Sequence, residues 1–488
     1  MSGRRATVVV AMLIAIVTFV ITDQNRPPRL DPVFTSLGQP TMPFVPSGRL
    51  LTASWFCPGV PHGEGVGGEV VIANPTDVPV GATVTAYSDA AGVDAVAKRV
   101  FVEARDQITI ALSDLQPSGT FLSALIELTG GPGFVEQRAR TKLGEAAAPC
   151  ANAPSSDWTF ADGFTVGGST QQFVLTNPYP VDAIVNFRFA TVNGTSSPGK
   201  LQGFVVPGSS IAVVDQTSLP RDERVLAARI TSMSGRIVVG RAQRYNGEGR
   251  TGFSMSLGAP ALSDQYYFVD GEFGDGITAR YSIFNGSDSA VDVDAVFLGI
   301  PVDPNAAPPD YLNLQPIRVE AGQVRTFTVA KGADSDAQGL PDGPYSMAFS
   351  TFSPGSIVVE RAITRPAGDG QATTVVLGAP GSFAATRWSM AIGTSMAVPD
   401  VLRVLNATGL EGTVTVKSLG PGGETPIGGL TDLPIAANGL ISIDFSNVDR
   451  VVLGQPLIVE STQAILVERQ LPRGEGLRGR SGSFPLNG

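Results

Sequence analysis

Three landmarks recur four times along this chain of 488 residues, in the same order and at nearly constant spacing. The first is an aromatic phrase: Ser54-Trp55-Phe56, Asp157-Trp158-Thr159-Phe160, Tyr266-Tyr267-Phe268 and Arg387-Trp388-Ser389-Met390. The second is an asparagine at a turn, at Asn74, Asn177, Asn285 and Asn406, which follows Trp55, Trp158, Tyr267 and Trp388 by 19, 19, 18 and 18 residues. The third is an apolar run ending in arginine: Phe134–Arg138, Ile237–Arg241, Ile357–Arg361 and Ile465–Arg469, with Asn-to-Arg distances of 64, 64, 76 and 63. Self-similarity at a fixed period defines the architecture before any motif does. The repeats run over 51–156, 157–265, 266–386 and 387–488, with no long linker between them.

Each repeat reads as β. After Asn177, Val185, Phe187 and Phe189 alternate with Ile184, Asn186 and Arg188; Val84/Ala86 beside Thr83/Thr85 and Val414/Val416 beside Thr413/Thr415 repeat the pattern. Period two with one polar face is a half-buried strand. Turn signals follow at matching places, at Arg105-Asp106, Pro207-Gly208, Ala321-Gly322 and Asn438-Gly439, the last being a strong hairpin signal. Gly and Pro total 94 residues and charged residues are 16%, which disfavours long helices and disorder alike. Seven or eight strands per repeat predict an all-β chain: a tandem array of four immunoglobulin-like β-sandwich modules, as a semi-rigid rod or a compact curved tandem. A four-bladed propeller is the rival, but its blades take only ~40–50 residues.

The first segment sets the address. Arg4 and Arg5 precede Ala6–Thr22, which carries no charge. It ends without a small-x-small cleavage site, so we read residues 1–22 as a cytoplasmic tip and transmembrane signal-anchor rather than a cleaved signal peptide. Residues 23–50 hold six prolines and read as a stem. The expected location is the cell membrane, single-pass, with the body extracytoplasmic. There the only two cysteines, Cys57 and Cys150, are expected to form a disulfide within the first repeat.

The repeat phrase is clearest in Trp158…Phe173-Val174-Leu175-Thr176-Asn177-Pro178 and Ser356-Ile357-Val358-Val359-Glu360-Arg361. It resembles the actinobacterial secreted repeat family of unknown function known as domain of unknown function 5719, over about residues 51–488. The resemblance implies an envelope location and β-sandwich repeats, and it brings no catalytic residues. Repeats three and four replace Asn-Pro by Asn-Gly and Asn-Ala, so a different turn is expected there.

Motifs that carry chemistry are sparse. Gly63-x-Gly65-x-x-Gly68 matches a dinucleotide fingerprint by pattern, but Glu69–Ala73 after it is an apolar β run where that mechanism needs a helix. The single histidine, His62, has no Gly-x-Ser-x-Gly elbow to serve. Asp334, Asp336 and Asp342 share a loop without the ligand pattern of a calcium site. We therefore expect no catalytic, metal or cofactor residues and no enzyme activity. Arg138, Arg241, Arg361 and Arg469 are candidate contacts for an anionic glycan; the competing reading has each arginine packing on its sheet and bonding a neighbouring carboxylate or carbonyl. Trp55, Trp158, Tyr267 and Trp388 read as core rather than a sugar-stacking platform, and the four asparagines as turn caps. A net charge of −10 argues against nucleic acid. The expected function is a non-catalytic envelope protein, structural or binding, with polysaccharide or an envelope protein as partner. The alternatives are an accessory subunit of a membrane complex or an enzyme using a carboxylate pair.

Overall fold

The computed structural model describes residues 42–46, 52–302, 309–367, 370–391, 401–445, 448, 452, 454–472, 480–483 and 485–487. The anchor segment and most of the stem lie outside these residues. Among the described residues no helix is long and apolar enough to cross a membrane. The described residues are all-β, and every strand pairing among them is antiparallel.

Repeat 1 shows the plan. Its strands are β1 (Thr52–Pro61), β2 (Gly67–Asn74), β3 (Val80–Ser88), β4 (Val96–Val102), β5 (Asp106–Ala111), β6 (Phe121–Thr129), β7 (Phe134–Thr141) and β8 (Gly144–Pro149). They form two four-stranded sheets, ordered β1-β6-β3-β4 and β5-β2-β7-β8. Alternation along each strand turns one apolar set inward, so Trp55, Val84 and Ile126 from one sheet join Val70, Ile72 and Val135 from the other in one buried cluster. Repeats 2 and 3 repeat both sheets, with short additions at their edges. In repeat 4 the strand Leu457–Pro472 is long enough to serve both, pairing with Gly412–Gly420 through Leu457–Ser461 and with Val401–Asn406 through Ile465–Gln470.

The repeats close on themselves. The sheet holding the asparagine strand is the inner one of each repeat, the other being outer, and its last strand lies at the edge as the axial strand: β8, Arg250–Leu257, Gly370–Leu377 and Arg480–Ser483. β8 packs against Arg250–Leu257, that strand against Gly370–Leu377, that one against Arg480–Ser483, and Arg480–Ser483 against β8 again. Of the two arrangements the sequence allowed, the semi-rigid rod is excluded, and the compact curved tandem closes into a ring. This shares the radial plan of a propeller, but each sector holds two sheets. The apolar cores run across the seams: Val174, Ala242 and Met255 of repeat 2, with Ala391 of repeat 4, belong to the cluster of repeat 1. Residues 42–46, assigned to the stem, lie on the body: Met42 packs against the cores of repeats 3 and 4. The Phe44 amide N–H donates to Asn152 Oδ1 at 2.8 Å.

The local landmarks explain why four different sequences fold alike. Each asparagine donates from Nδ2 to the carbonyl four residues on (Val78, Val181, Ser289, Leu410) at 2.7–2.8 Å. It also donates to a carbonyl 28 to 34 residues on, and its Oδ1 accepts the N–H two residues on. The turns after Asn285 and Asn406 keep this bonding, so the expected difference there does not arise: the side chain dictates the turn and the following residue does not. Arg105, Ser209, Gly322 and Asn438 take φ of 51–67° at the matching turns. The indole N–H of Trp55, Trp158 and Trp388 donates to the carbonyl of Gly133, Ile237 and Ile465 at 3.1, 2.8 and 2.9 Å, tying the two sheets together.

In repeat 3 this place belongs to Tyr266, not Tyr267. Tyr266 is fully buried and lies beside Gly378 as Trp158 lies beside Gly258. One residue along a strand reverses the face, so Tyr267 is half-buried against the core of repeat 4.

Candidate functional site

The most regular polar feature of the sequence lies in the seams of the ring. Register with the asparagine strands fixes the equivalences: Phe173 pairs with Arg241, Tyr281 with Arg361, Leu402 with Arg469 and Val70 with Gln137. Gln137, not Arg138, therefore holds the arginine position of repeat 1. The glycine-rich link Gly130–Gly133 hides this one-residue slip in the sequence. By the same register Glu136 matches Gly240, Glu360 and Glu468.

These two positions form latches that all run in one direction around the ring. Arg241 of repeat 2 donates from Nη2 and Nη1 to Glu360 Oε1 and Oε2 of repeat 3 at 2.7 and 3.0 Å. Arg361 of repeat 3 donates to Glu468 of repeat 4 at 2.5 and 3.3 Å. Arg469 of repeat 4 lies 3.5 Å from Glu136 of repeat 1. Each carboxylate also accepts backbone N–H groups from the arginine's own repeat: Asp162 to Glu360 at 2.7 Å, Val269 and Asp270 to Glu468 at 3.0 and 2.9 Å, and Ala391 to Glu136 at 3.4 Å. Glu360 and Arg361 are neighbours on one strand and serve opposite seams, as strand alternation requires. The guanidiniums of Arg241 and Arg361 also sit over the rings of Phe160 and Phe268.

The seam between repeats 1 and 2 is built differently. Both latch partners are replaced there, Arg by Gln137 and Glu by Gly240. Gln137 Oε1 accepts the Gly59 N–H at 3.1 Å. A Cβ on Gly240 would lie 2.7 Å from Pro58 Cγ, so glycine is what lets the strands approach. Thr176 Oγ1 donates across the seam to the Pro58 carbonyl at 2.7 Å. Beside it Cys57 and Cys150 form the expected disulfide, with Cα atoms 4.3 Å apart.

The proposed glycan-facing row therefore requires correction. Arg138, Arg241, Arg361 and Arg469 are all buried, the most exposed at 6%. Arg138 donates from Nη2 to the Ala391 carbonyl at 2.9 Å, which places it in the seam between repeats 4 and 1. The residues that sequence reasoning missed are Glu136, Gln137, Asp162, Gly240 and Asp270. The glutamates beside Arg361 and Arg469 were visible, but their partners were not, because these lie 119 and 107 residues away in the preceding repeat.

Asp270 shows the electrostatics of a seam. Burial pushes its carboxyl pKa up, but Arg365, Arg361 and Arg403 overcome this and hold it below the ordinary aspartate value. Arg365 Nη2 donates to Oδ2 at 3.0 Å, and the Gln470 amide donates to Oδ1. A carboxylate depressed in the folded state stabilises above its unfolded pKa, about 3.9, and that contribution is lost as pH falls through the lower folded value. Asp270→Asn is thus expected to lower the melting temperature at neutral pH and to flatten its decline between about pH 5 and 2. Parallel acid limbs for the two proteins exclude this role.

The other candidates take plain places. The Gly63–Gly68 loop joins β1 to β2. His62 Nδ1 lies 3.0 Å from the Gly119 carbonyl. Asp342 pairs with Lys331 at 2.8 Å, and Asp336 accepts the Thr328 N–H at 2.7 Å. Among the described residues no group of three or more His, Cys, Asp or Glu side chains is placed to hold a metal ion. Where three axial strands meet, a small apolar cleft of about 50 Å³ is lined by Met42, Pro149, Leu257, Val376, Leu377 and Phe383, among others.

Residues 135–249 match the model of a family of unknown function, DUF5719. The match starts on the latch strand of repeat 1 and ends in the hairpin after that of repeat 2, so it spans the one seam without an arginine–glutamate latch. No curated protein matches the chain. Among solved structures, one from Thermotoga maritima, protein 1070, is 16% identical, with 24% of this chain and 95% of that one covered and a TM-score of 0.18. An α-L-rhamnosidase of Streptomyces avermitilis complexed with L-rhamnose is 10% identical over 84% of this chain and 55% of its own, with a TM-score of 0.13. Likenesses this weak carry no argument about fold or function.

Proposed function

We propose that this chain is a non-catalytic protein of the cell envelope. Ala6–Thr22 tethers it as a single-pass anchor, and a ring of four immunoglobulin-like sandwiches stands outside the membrane as a rigid binding scaffold. The disulfide supports an oxidising compartment. The repeated arginines, asparagines and tryptophans spend their polar groups on holding the repeats, which suits a scaffold.

The observation that carries a binding role is an apolar patch on the outer sheet of repeat 2. Ile184 pairs with Val205 on one side and Ser234 on the other, so Val205 and Met233 flank the strand that Val181 precedes. Val181, Met233 and Val205 are 73%, 68% and 48% exposed. Contiguous exposed apolar surface marks protein contact more than glycan contact, so we take an envelope protein as the partner and polysaccharide as the alternative. The same patch suits an accessory subunit of a membrane complex. The carboxylate-pair enzyme gains no such support, since Glu136, Glu360, Glu468, Asp162 and Asp270 each face arginine.

The test is a photo-cross-linker placed at Val205, which the variant below leaves unaltered, in the intact protein in cells. A discrete cross-linked protein that disappears in Val181→Glu/Met233→Glu, with stability changed by no more than about 0.5 kcal/mol, supports the reading. Co-sedimentation with isolated envelope polysaccharide, unchanged in that double variant, overturns the choice of partner.

A further inference from the structure

The seams between repeats 2 and 3 and between repeats 3 and 4 share one framework, yet only in the second are both oxygens of the central aspartate hydrogen-bonded among the described residues. Asp162 and Asp270 are equivalent, each two residues after Phe160 or Phe268. At Asp270 both oxygens are engaged by Arg365 and Gln470, and Arg365 Nε is balanced by Glu272 at 3.1 Å. At Asp162 the strand position of Arg365 is held by Tyr245, and the apolar pair Ala279/Ile363 is replaced by Gln171/Gln243. Arg280 Nη2 and Ser282 Oγ, from repeat 3, both donate to Asp162 Oδ1, at 2.9 and 2.7 Å.

Around that carboxylate, polar atoms collect that make no hydrogen bond among the described residues: Tyr245 Oη, both amide atoms of Gln171, Arg250 Nη1, Arg280 Nε and Asp162 Oδ2. Tyr245, Gln171 and Asp162 are fully buried and Arg280 is 8% exposed. They are grouped by the loop Asp162-Gly163-Phe164. A Cβ on Gly163 would meet the Gln171 amide at 2.3 Å, Arg250 sits 4.4 Å over the Phe164 ring, and Phe164 lies 5.9 Å from Tyr245. Most of these atoms are donors, and buried donors are nearly always satisfied. Charge points the same way. Among the described residues Arg241, Arg250 and Arg280 share Asp162 and Glu360, and Glu248, which also acts on Arg250, pairs with Arg224 at 2.8 Å. Burial and the Arg280 charge together push the Arg250 pKa down to about 10, the mark of a cation short of a counter-charge.

We infer that this seam binds a small monovalent anion of the halide class, held by Arg250, Arg280, the Tyr245 hydroxyl and the Gln171 amide. The anion supplies the missing negative charge that the neighbouring seam obtains from Glu272. It satisfies donors that water would satisfy without neutralising them.

The probe is bromide. Crystals of the full chain soaked in sodium bromide are expected to show an anomalous peak among these four side chains; no bromide peak there, or water alone, overturns the inference. In solution at constant ionic strength, the melting temperature should rise saturably as bromide replaces gluconate, as mass action requires of a ligand bound only by the folded state. Arg250→Gln, at a partly exposed position, should abolish that rise. An equal rise in both proteins overturns the site. Should the variant fail to fold, equal melting of the unaltered protein in bromide and gluconate overturns it as well.

Discussion

Arg361→Ala is expected to lower the unfolding free energy by about 3–5 kcal/mol, the cost of leaving a buried carboxylate without its partner. Glu468 is fully buried and receives both guanidinium nitrogens of Arg361. Deleting the arginine leaves its charge facing only two backbone N–H groups. Burial opposes the arginine's charge, yet Glu468 and Asp270 raise its pKa above the ordinary value, so the arginine stays charged in the folded ring. The pair as a whole is a different quantity. Removing both charges together, in Arg361→Met/Glu468→Leu, should recover most of the loss, since apolar replacements of buried pairs are commonly neutral or stabilising. The two variants separate the energy of the latch from its geometry, and denaturant midpoints of both read it. A single variant within about 1 kcal/mol of the parent would place the latch at the level of an exposed pair and remove the physical basis for a ring held by its seams.

How much of this was readable follows from the range of each interaction. Period-two alternation and the asparagine turns act within a few residues, so strands and caps were visible, and so was the single possible cysteine pairing. Ring closure depends on contacts such as Arg469 with Glu136, more than 300 residues apart, to which no local pattern points. Two slips had one cause. Spacing from a neighbouring landmark assigned Tyr267 for Tyr266 and Arg138 for Gln137, and in a strand an error of one residue exchanges core for surface or one seam for another. The polar cluster around Asp162 was unreadable for a further reason: Tyr245 and Gln171 differ from their counterparts Arg365 and Ala279, so only superposed repeats show that one seam departs from its neighbour. The exposed apolar residues of repeat 2 were ordinary strand residues until pairing brought them together.

Removing the disulfide should act most at the seam that lacks a latch. Cys57 lies on β1, directly before Pro58, which packs on Gly240; Cys150 directly follows β8, which packs on the axial strand of repeat 2. The bond therefore joins two of the parts of repeat 1 that touch repeat 2, helped by Phe56 and Ala151, which exchange backbone hydrogen bonds at 2.8 Å. Closing a loop over a separation of 93 residues stabilises by about 4–5 kcal/mol in the chain-entropy model. Cys57→Ser/Cys150→Ser should lose a stability of that order, read as a lower denaturant midpoint. Its locality is the sharper test. Hydrogen exchange should accelerate first in β1, β8 and the facing strands Thr170–Asn177 and Arg250–Leu257, while the seam closed by Arg361 and Glu468 keeps its protection. Acceleration spread evenly over all four repeats would mean that the ring opens as one unit. The disulfide would then be a general brace, and the loss of arginine and glutamate from that seam would need another cause.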